Sequence, residues 1–232
     1  MKQESVRRRV YGRRQGHRLS PRQAGLMEKR LPGLRPLPEG SGRLDPRVLF
    51  GPGCRRFSLE IGFGGGEHLA AQAEQHPDTG YIGCEPFING VAKLLVQVEE
   101  RHLDNVRIHD DDARDLLDRL EDACLDEAFL LYPDPWPKKR HAGRRFVSPE
   151  NLAQLARVLK DGARLRIASD IPAYIRWTLM HVRRDGRFVW QAARPDDWRL
   201  RPSDWPPTRY ESKALAAGRV PSYLTFRRRE RP

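Results

Sequence analysis

The feature that most constrains this chain is an alternation of two patterns. Short apolar runs, each halted by a glycine or an acid, are separated by segments whose apolar residues recur at helical spacing. The run 57–61 stops at Gly62, 81–84 stops at Glu85, 106–108 leads to Asp110, and 128–132 ends just before Asp134. Runs this short and continuous predict strands buried on both faces. Between them, 68–75 is alanine-rich and favours helix, and Ile88, Val91, Leu94, Leu95 and Val98 lay an apolar stripe along the next helix. Ser148 before Pro149 predicts a helix start, with Leu152, Leu155 and Leu159 on its buried face and Gly162 as its stop. Residues 164–169 return to the strand pattern, and Pro172 opens a further helix. Such alternation implies an α/β fold, an open and mostly parallel central sheet with helices on both faces. Ligands of these sheets bind beyond the carboxyl ends of the strands.

The pattern begins only after residue 53. Ahead of it, residues 31–53 are rich in proline and glycine, and residues 1–30 hold ten Lys or Arg against Glu4 and Glu28. The expected organisation is a basic arm and linker over 1–53 and one domain over 54–232. The arm carries most of the formal charge of +12, with Tyr11 and Gly12 set among Arg7, Arg8, Arg9, Arg13 and Arg14. A polyanion is its natural partner, nucleic acid first. No apolar run approaches bilayer length, which argues against a membrane protein, and charges interrupt the N-terminus where a signal peptide would need an apolar core. Cys54, Cys84 and Cys124 form no CxxC pair, so a reducing cytoplasmic setting is expected. The seven histidines are scattered with no ligand spacing, and no metal site is expected.

The ligand class follows from the loop after the first strand, Glu60-Ile61-Gly62-Phe63-Gly64-Gly65-Gly66-Glu67. It stands where a nucleotide-binding loop stands, between a strand and a helix, with Gly62, Gly64 and Gly66 allowing close approach of the backbone. The dinucleotide pattern G-x-G-x-x-G fails, since the sixth position from Gly62 is Glu67 and from Gly64 is Leu69. No phosphate-cradling Gly-Lys-Ser/Thr follows either. Glu60 and Glu67 flank the glycines, where a pyrophosphate would be repelled and a cation welcomed. Glu85 ends the second strand, where an acid accepts both ribose hydroxyls; Asp110, Asp111 and Asp112 follow the third strand, and Asp134 follows the fourth. S-adenosylmethionine, a nucleoside bearing an ammonium and a sulfonium, satisfies this pattern better than NAD does.

Residues 131–140, Leu-Tyr-Pro-Asp-Pro-Trp-Pro-Lys-Lys-Arg, stiffen the backbone around one acid and one large aromatic. Asp134 and Trp136 are suited to hold a planar base by hydrogen bonding and stacking. Lys138, Lys139, Arg140, Arg144 and Arg145 are suited to meet RNA phosphates. At this point the chain resembles the tRNA (guanine-N7)-methyltransferase family. The resemblance runs from Leu59 to Glu67, through Gly83-Cys84-Glu85-Pro86, Asp112-Ala113 and Tyr132-Pro133-Asp134-Pro135-Trp136-Pro137-Lys138. It continues through Arg166-Ile167-Ala168-Ser169-Asp170 to Thr208-Arg209-Tyr210-Glu211. It departs mildly at Gly65, where many members have a polar residue, and at Pro137, where members vary.

The resemblance implies a Rossmann-like class I S-adenosylmethionine-dependent fold, with cofactor contacts from Glu60, Glu85, Asp112 and Asp134. It makes Asp134 also the catalytic residue and gives substrate contacts to Lys138, Asp170 and the segment 208–211. The expected substrate is the variable-loop guanosine of tRNA, conventionally position 46. The residues alone leave open a methyltransferase acting on another nucleic acid or on protein, and a non-catalytic RNA-binding protein of the same fold.

Overall fold

The computed structural model describes residues 11–36 and 42–231. The helices are α1 (Pro21–Lys29), α2 (Leu31–Leu34), α3 (Pro46–Phe50), α4 (Glu67–Gln75), α5 (Ile88–Glu100), α6 (Ala113–Arg119), α7 (Pro149–Val158), α8 (Pro172–Asp185), α9 (Asp196–Arg199) and α10 (Arg209–Ala216). The strands are β1 (Arg56–Ile61), β2 (Thr79–Cys84), β3 (Val106–His109), β4 (Leu125–Leu131), β5 (Leu159–Ser169), β6 (Phe188–Trp190) and β7 (Ser222–Arg228), and a 3-10 turn spans Lys139–Arg144. All seven strands join one sheet in the order β3-β2-β1-β4-β5-β7-β6.

The five strands expected from the apolar runs form its parallel part. Strand order reverses between β1 and β4, which opens a crevice above their carboxyl ends. Register brings those ends level: Ile61 lies beside Cys84, Cys84 beside His109, and Leu131 beside Ala168. The acids that follow the strands therefore gather on one rim. Beneath it the sheet separates two apolar clusters, one containing Leu59, Ile82, Leu116, Leu130 and Leu155, the other Leu69, Leu94, Leu95, Val106 and Ile108.

Three features differ from the sequence expectation. First, part of the expected arm and linker is packed structure. The Ser20 side chain caps α1 in a capping box with Gln23, and Leu26, Leu31 and Leu34 are buried in the cluster that holds Leu94 and Leu95. Proline at the first turns of α1, α2 and α3 starts these helices, although in the sequence it reads as a breaker. Arg7, Arg8 and Arg9 lie outside the described residues. Second, Gly162 does not stop α7. That helix ends at Val158, Leu159 pairs with Leu125 to open β5, and Gly162 sits within the strand at φ +77°. Third, the sheet continues past β5 with antiparallel β7 and β6, whose arginine-flanked sequences hid the inward residues Tyr223, Leu224 and Phe226.

Candidate cofactor and base site

The glycine loop takes its shape from three left-handed residues, Gly62, Gly64 and Gly66, at φ +70°, +59° and +79°. A side chain would strain each of them. Gly62 donates its amide to the Cys84 carbonyl at 2.8 Å, which ties the loop to β2. Helix α5 presses on it from the other side: a Cβ on Gly90 would lie 2.2 Å from the Gly64 carbonyl oxygen. Glu85 completes the cradle, accepting the Gly64 amide at 2.7 Å on one oxygen and the Phe87 amide at 3.0 Å on the other. Each oxygen keeps a lone pair, the arrangement that a pair of vicinal hydroxyls requires. Burial raises the Glu85 pKa despite the two amides, and the charges of Asp134 and Glu60 push the same way.

A cavity of about 440 Å³ opens beside this cradle, walled by Gly62, Cys84, Pro86, Asp112, Arg144 and Phe146. That is the size of a nucleoside site. Asp112 caps α6 by accepting the Arg114 amide at 2.9 Å, and the Arg114 guanidinium closes back on its carboxylate. Glu60 is not on this wall. It is 3% exposed and turned into the protein, bonded to His68 Nδ1 at 2.7 Å, with the imidazole set edge-on against Phe129.

The segment from Tyr132 to Trp136 leaves β4 under strain, for both of these residues have positive φ, +50° and +40°. Non-glycine residues in that region cost about 1–3 kcal/mol each and persist only where their surroundings hold them. Arg145 is one such support, donating to the Pro135 carbonyl at 2.9 Å and the Trp136 carbonyl at 3.2 Å while lying over Trp177. Arg145 therefore braces the loop from within. Lys138 and Arg140 stand on the open surface. Arg144 lies over the rings of Trp136 and Tyr11, 5.0 and 4.6 Å from their centres. Asp134 itself is exposed to solvent, and partial desolvation by its surroundings raises its pKa.

Tyr11 arrives there because residues 11–17 cross the N-terminus of α5. The Arg14 carbonyl accepts the Ile88 amide at 2.9 Å, and Asn89 bonds both the Gly16 amide and the His17 carbonyl at 2.7 Å. Gly12 passes close to Asp134; a Cβ on it would lie 3.7 Å from the carboxylate. Asn89 and Arg114 carry no sequence signal for these roles. The aromatic Tyr11 inside a basic run was the one visible cue.

Asp170, at the end of β5, pairs with Arg219 at 2.5 Å. In the segment 208–211 the four side chains diverge. The Thr208 hydroxyl accepts the Glu211 amide to cap α10, and Glu211 is buried, taking the Tyr223 hydroxyl at 2.6 Å and Arg201 Nε at 3.1 Å. Arg209 Nε approaches Glu67 at 3.8 Å. Tyr210 reaches the glycines of the loop: it is 42% exposed, a Cβ on Gly64 would lie 2.7 Å from its ring, and it stacks on Tyr132. The structure thus joins Gly64, Glu85 and Tyr210 in one cradle, with Gly62 and Asp112 on the wall of the adjoining cavity and Asp134 beside Gly12. It sets Glu60, Thr208 and Glu211 beneath it.

The methyltransferase family described as "Putative methyltransferase" matches residues 55–222. A tRNA (guanine-N(7)-)-methyltransferase of Ruegeria pomeroyi is 55% identical over 230 residues, covering 97% of this chain and 96% of that protein. Its counterpart in Rhodospirillum rubrum is 53% identical, covering 96% and 89%. The chain belongs to the tRNA (guanine-N7-)-methyltransferase family. Among solved structures, the 16S rRNA methyltransferase KamB superposes with a TM-score of 0.58 at 16% identity, covering 84% of this chain and 99% of that one. The 16S rRNA (adenine(1408)-N(1))-methyltransferase from Catenulisporales acidiphilia gives 0.54 at 19% identity, covering 84% and 98%. At such identities the likeness is one of fold, and the fold of this tRNA (guanine-N7-)-methyltransferase family member is the class I methyltransferase sheet. Among the described residues there is no His/Cys/Asp/Glu group able to hold a metal ion, and no helix is long and apolar enough to cross a membrane.

Proposed function

We propose that this protein transfers the methyl group of S-adenosylmethionine to N7 of guanosine 46 in the variable loop of tRNA, in the cytoplasm. The observation that carries the cofactor is Glu85: a buried carboxylate with one free lone pair on each oxygen, seated against the glycine loop beside a nucleoside-sized cavity. Those residues fit the adenosine of this donor, with Glu85 on the ribose hydroxyls and Asp112 at the adenine edge. The bound cofactor supplies an electrophilic methyl group on sulfonium.

Guanine N7 already carries an exposed lone pair, so no base has to remove a proton before attack. What the chain must do is align nitrogen, carbon and sulfur, an orientation effect that reaches about 7–11 kcal/mol in favourable cases. Asp134 contributes by hydrogen bonding at the guanine edge and by offsetting the positive charge that passes from sulfur to the base. Trp136 gives the base a stacking face. Lys138, Arg140 and Arg144, with the basic N-terminal arm, bind phosphates, while Asp170 and Tyr210 border the substrate.

Incubation with methyl-labelled cofactor and bulk tRNA, followed by mass spectrometry of the nucleosides, tests the proposal. Label should appear as 7-methylguanosine in tRNA. No label in tRNA, with label entering ribosomal RNA or protein offered in parallel reactions, would contradict it.

A further inference from the structure

The strained turn that presents Asp134 has two ends. Arg145 holds the Trp136 end by its carbonyls. The Tyr132 end is held differently. Its amide donates to the Ala168 carbonyl at 2.8 Å, its ring stacks on Tyr210, and its hydroxyl is buried without a hydrogen-bond partner among the described residues. Tyr223 stands directly across from Ala168 in the β5–β7 pairing. It lines the same small cleft as Tyr132, Arg201 and Glu211. The Tyr223 hydroxyl donates to Glu211 at 2.6 Å, and Glu211 is anchored in turn by Arg201. With its proton committed to Glu211, the Tyr223 oxygen is left as an acceptor, the polarity that a Tyr132 O–H requires. Burial, reinforced by Tyr223 and Glu211, keeps the Tyr132 proton in place far above the usual tyrosine range.

We propose that Tyr223 is a positioning residue for methyl transfer: through Tyr132, it fixes the turn that aims Asp134. The side chain touches neither cofactor nor base, and it comes from β7, outside the parallel strands that carry the acids. Glu211 then serves the reaction from below, by orienting Tyr223. This rests on the proposed methyl transfer, and its test separates the two.

Tyr223→Phe removes one oxygen from the full-length protein. With saturating tRNA and S-adenosylmethionine, its single-turnover rate should fall about ten- to a hundredfold, the loss expected of a slightly misplaced catalytic group. Cofactor affinity and KM for tRNA should stay within about twofold of wild type, since the cradle is untouched. Tyr132→Phe should show the same loss, and the double variant should be no slower than the slower single one. Full rate in Tyr223→Phe, or losses that simply multiply in the double variant, would overturn the proposal. Hydrogen exchange at the amides of Tyr132, Asp134 and Trp136 requires no methyl acceptor. Faster exchange in Tyr223→Phe supports the brace even if no methyl is transferred, and unchanged exchange overturns it.

Discussion

At the scale of single residues, the site depends on carboxylates of different exposure, with Glu85 buried, Asp112 partly buried and Asp134 open to solvent. Glu85 is the clearest case, because burial raises its pKa while the role proposed for it requires charge. The ionised form accepts ribose hydroxyls and attracts the sulfonium, so affinity for S-adenosylmethionine should be fully present above the raised pKa. It should be lost as pH falls through that value, beginning above the ordinary glutamate range. Calorimetry between about pH 5 and 8 should show this weakening, and Glu85→Gln should bind weakly at every pH without it. Asp134→Ala should slow single-turnover methylation by more than about tenfold, a loss above roughly 1.4 kcal/mol, while the protein stays folded. Gly90→Ala places a Cβ against the Gly64 carbonyl and should weaken cofactor binding, read by the same titration.

The positions of Glu85, Asp112 and Asp134 were legible in the sequence because an acid that ends an apolar run must stand at a strand end. The inward turn of Glu60 was not legible. It depends on His68, in the first turn of the helix after the glycine loop, and nothing in a linear pattern says which face of a strand end a lone acid takes.

At the scale of elements, the parallel strands could be read because continuous apolar runs have few other uses. The N-terminal helices could not, since the prolines and glycines that start and separate them are the residues that mark linkers. Their contribution is measurable. Leu31 is 1% exposed and packs with Leu94 and Leu95, so Leu31→Ala should destabilise the protein by about 2–5 kcal/mol in chemical denaturation. A loss below about 1 kcal/mol would show that α1 and α2 add little to the core. β7 escaped notice for a different reason. Its arginines, Arg227 and Arg228, follow directly on Tyr223, Leu224 and Phe226, and the inward-facing set emerges only once β5 supplies its partner. The supports of the Asp134 loop, Arg145 and Tyr223, act through tertiary packing and have no local signature at all.

At the scale of the whole molecule, the account is a contrast of sign. Carboxylates ring an interior crevice in a chain with a formal charge of +12 whose basic residues crowd the N-terminus and the segment 138–145. Affinity for tRNA should therefore be largely electrostatic. Removing residues 1–10, which hold Lys2, Arg7, Arg8 and Arg9, should weaken binding and flatten its dependence on salt by about 0.7–0.9 log units for each phosphate no longer neutralised. An unchanged slope would take those residues out of the RNA interface. The crevice is tested by offering it two nucleoside ligands of opposite charge. In a calorimetric titration of the full-length protein, S-adenosylmethionine should bind at one site and NAD should give no heat of binding. Uptake of NAD with none of S-adenosylmethionine would contradict the account at its root.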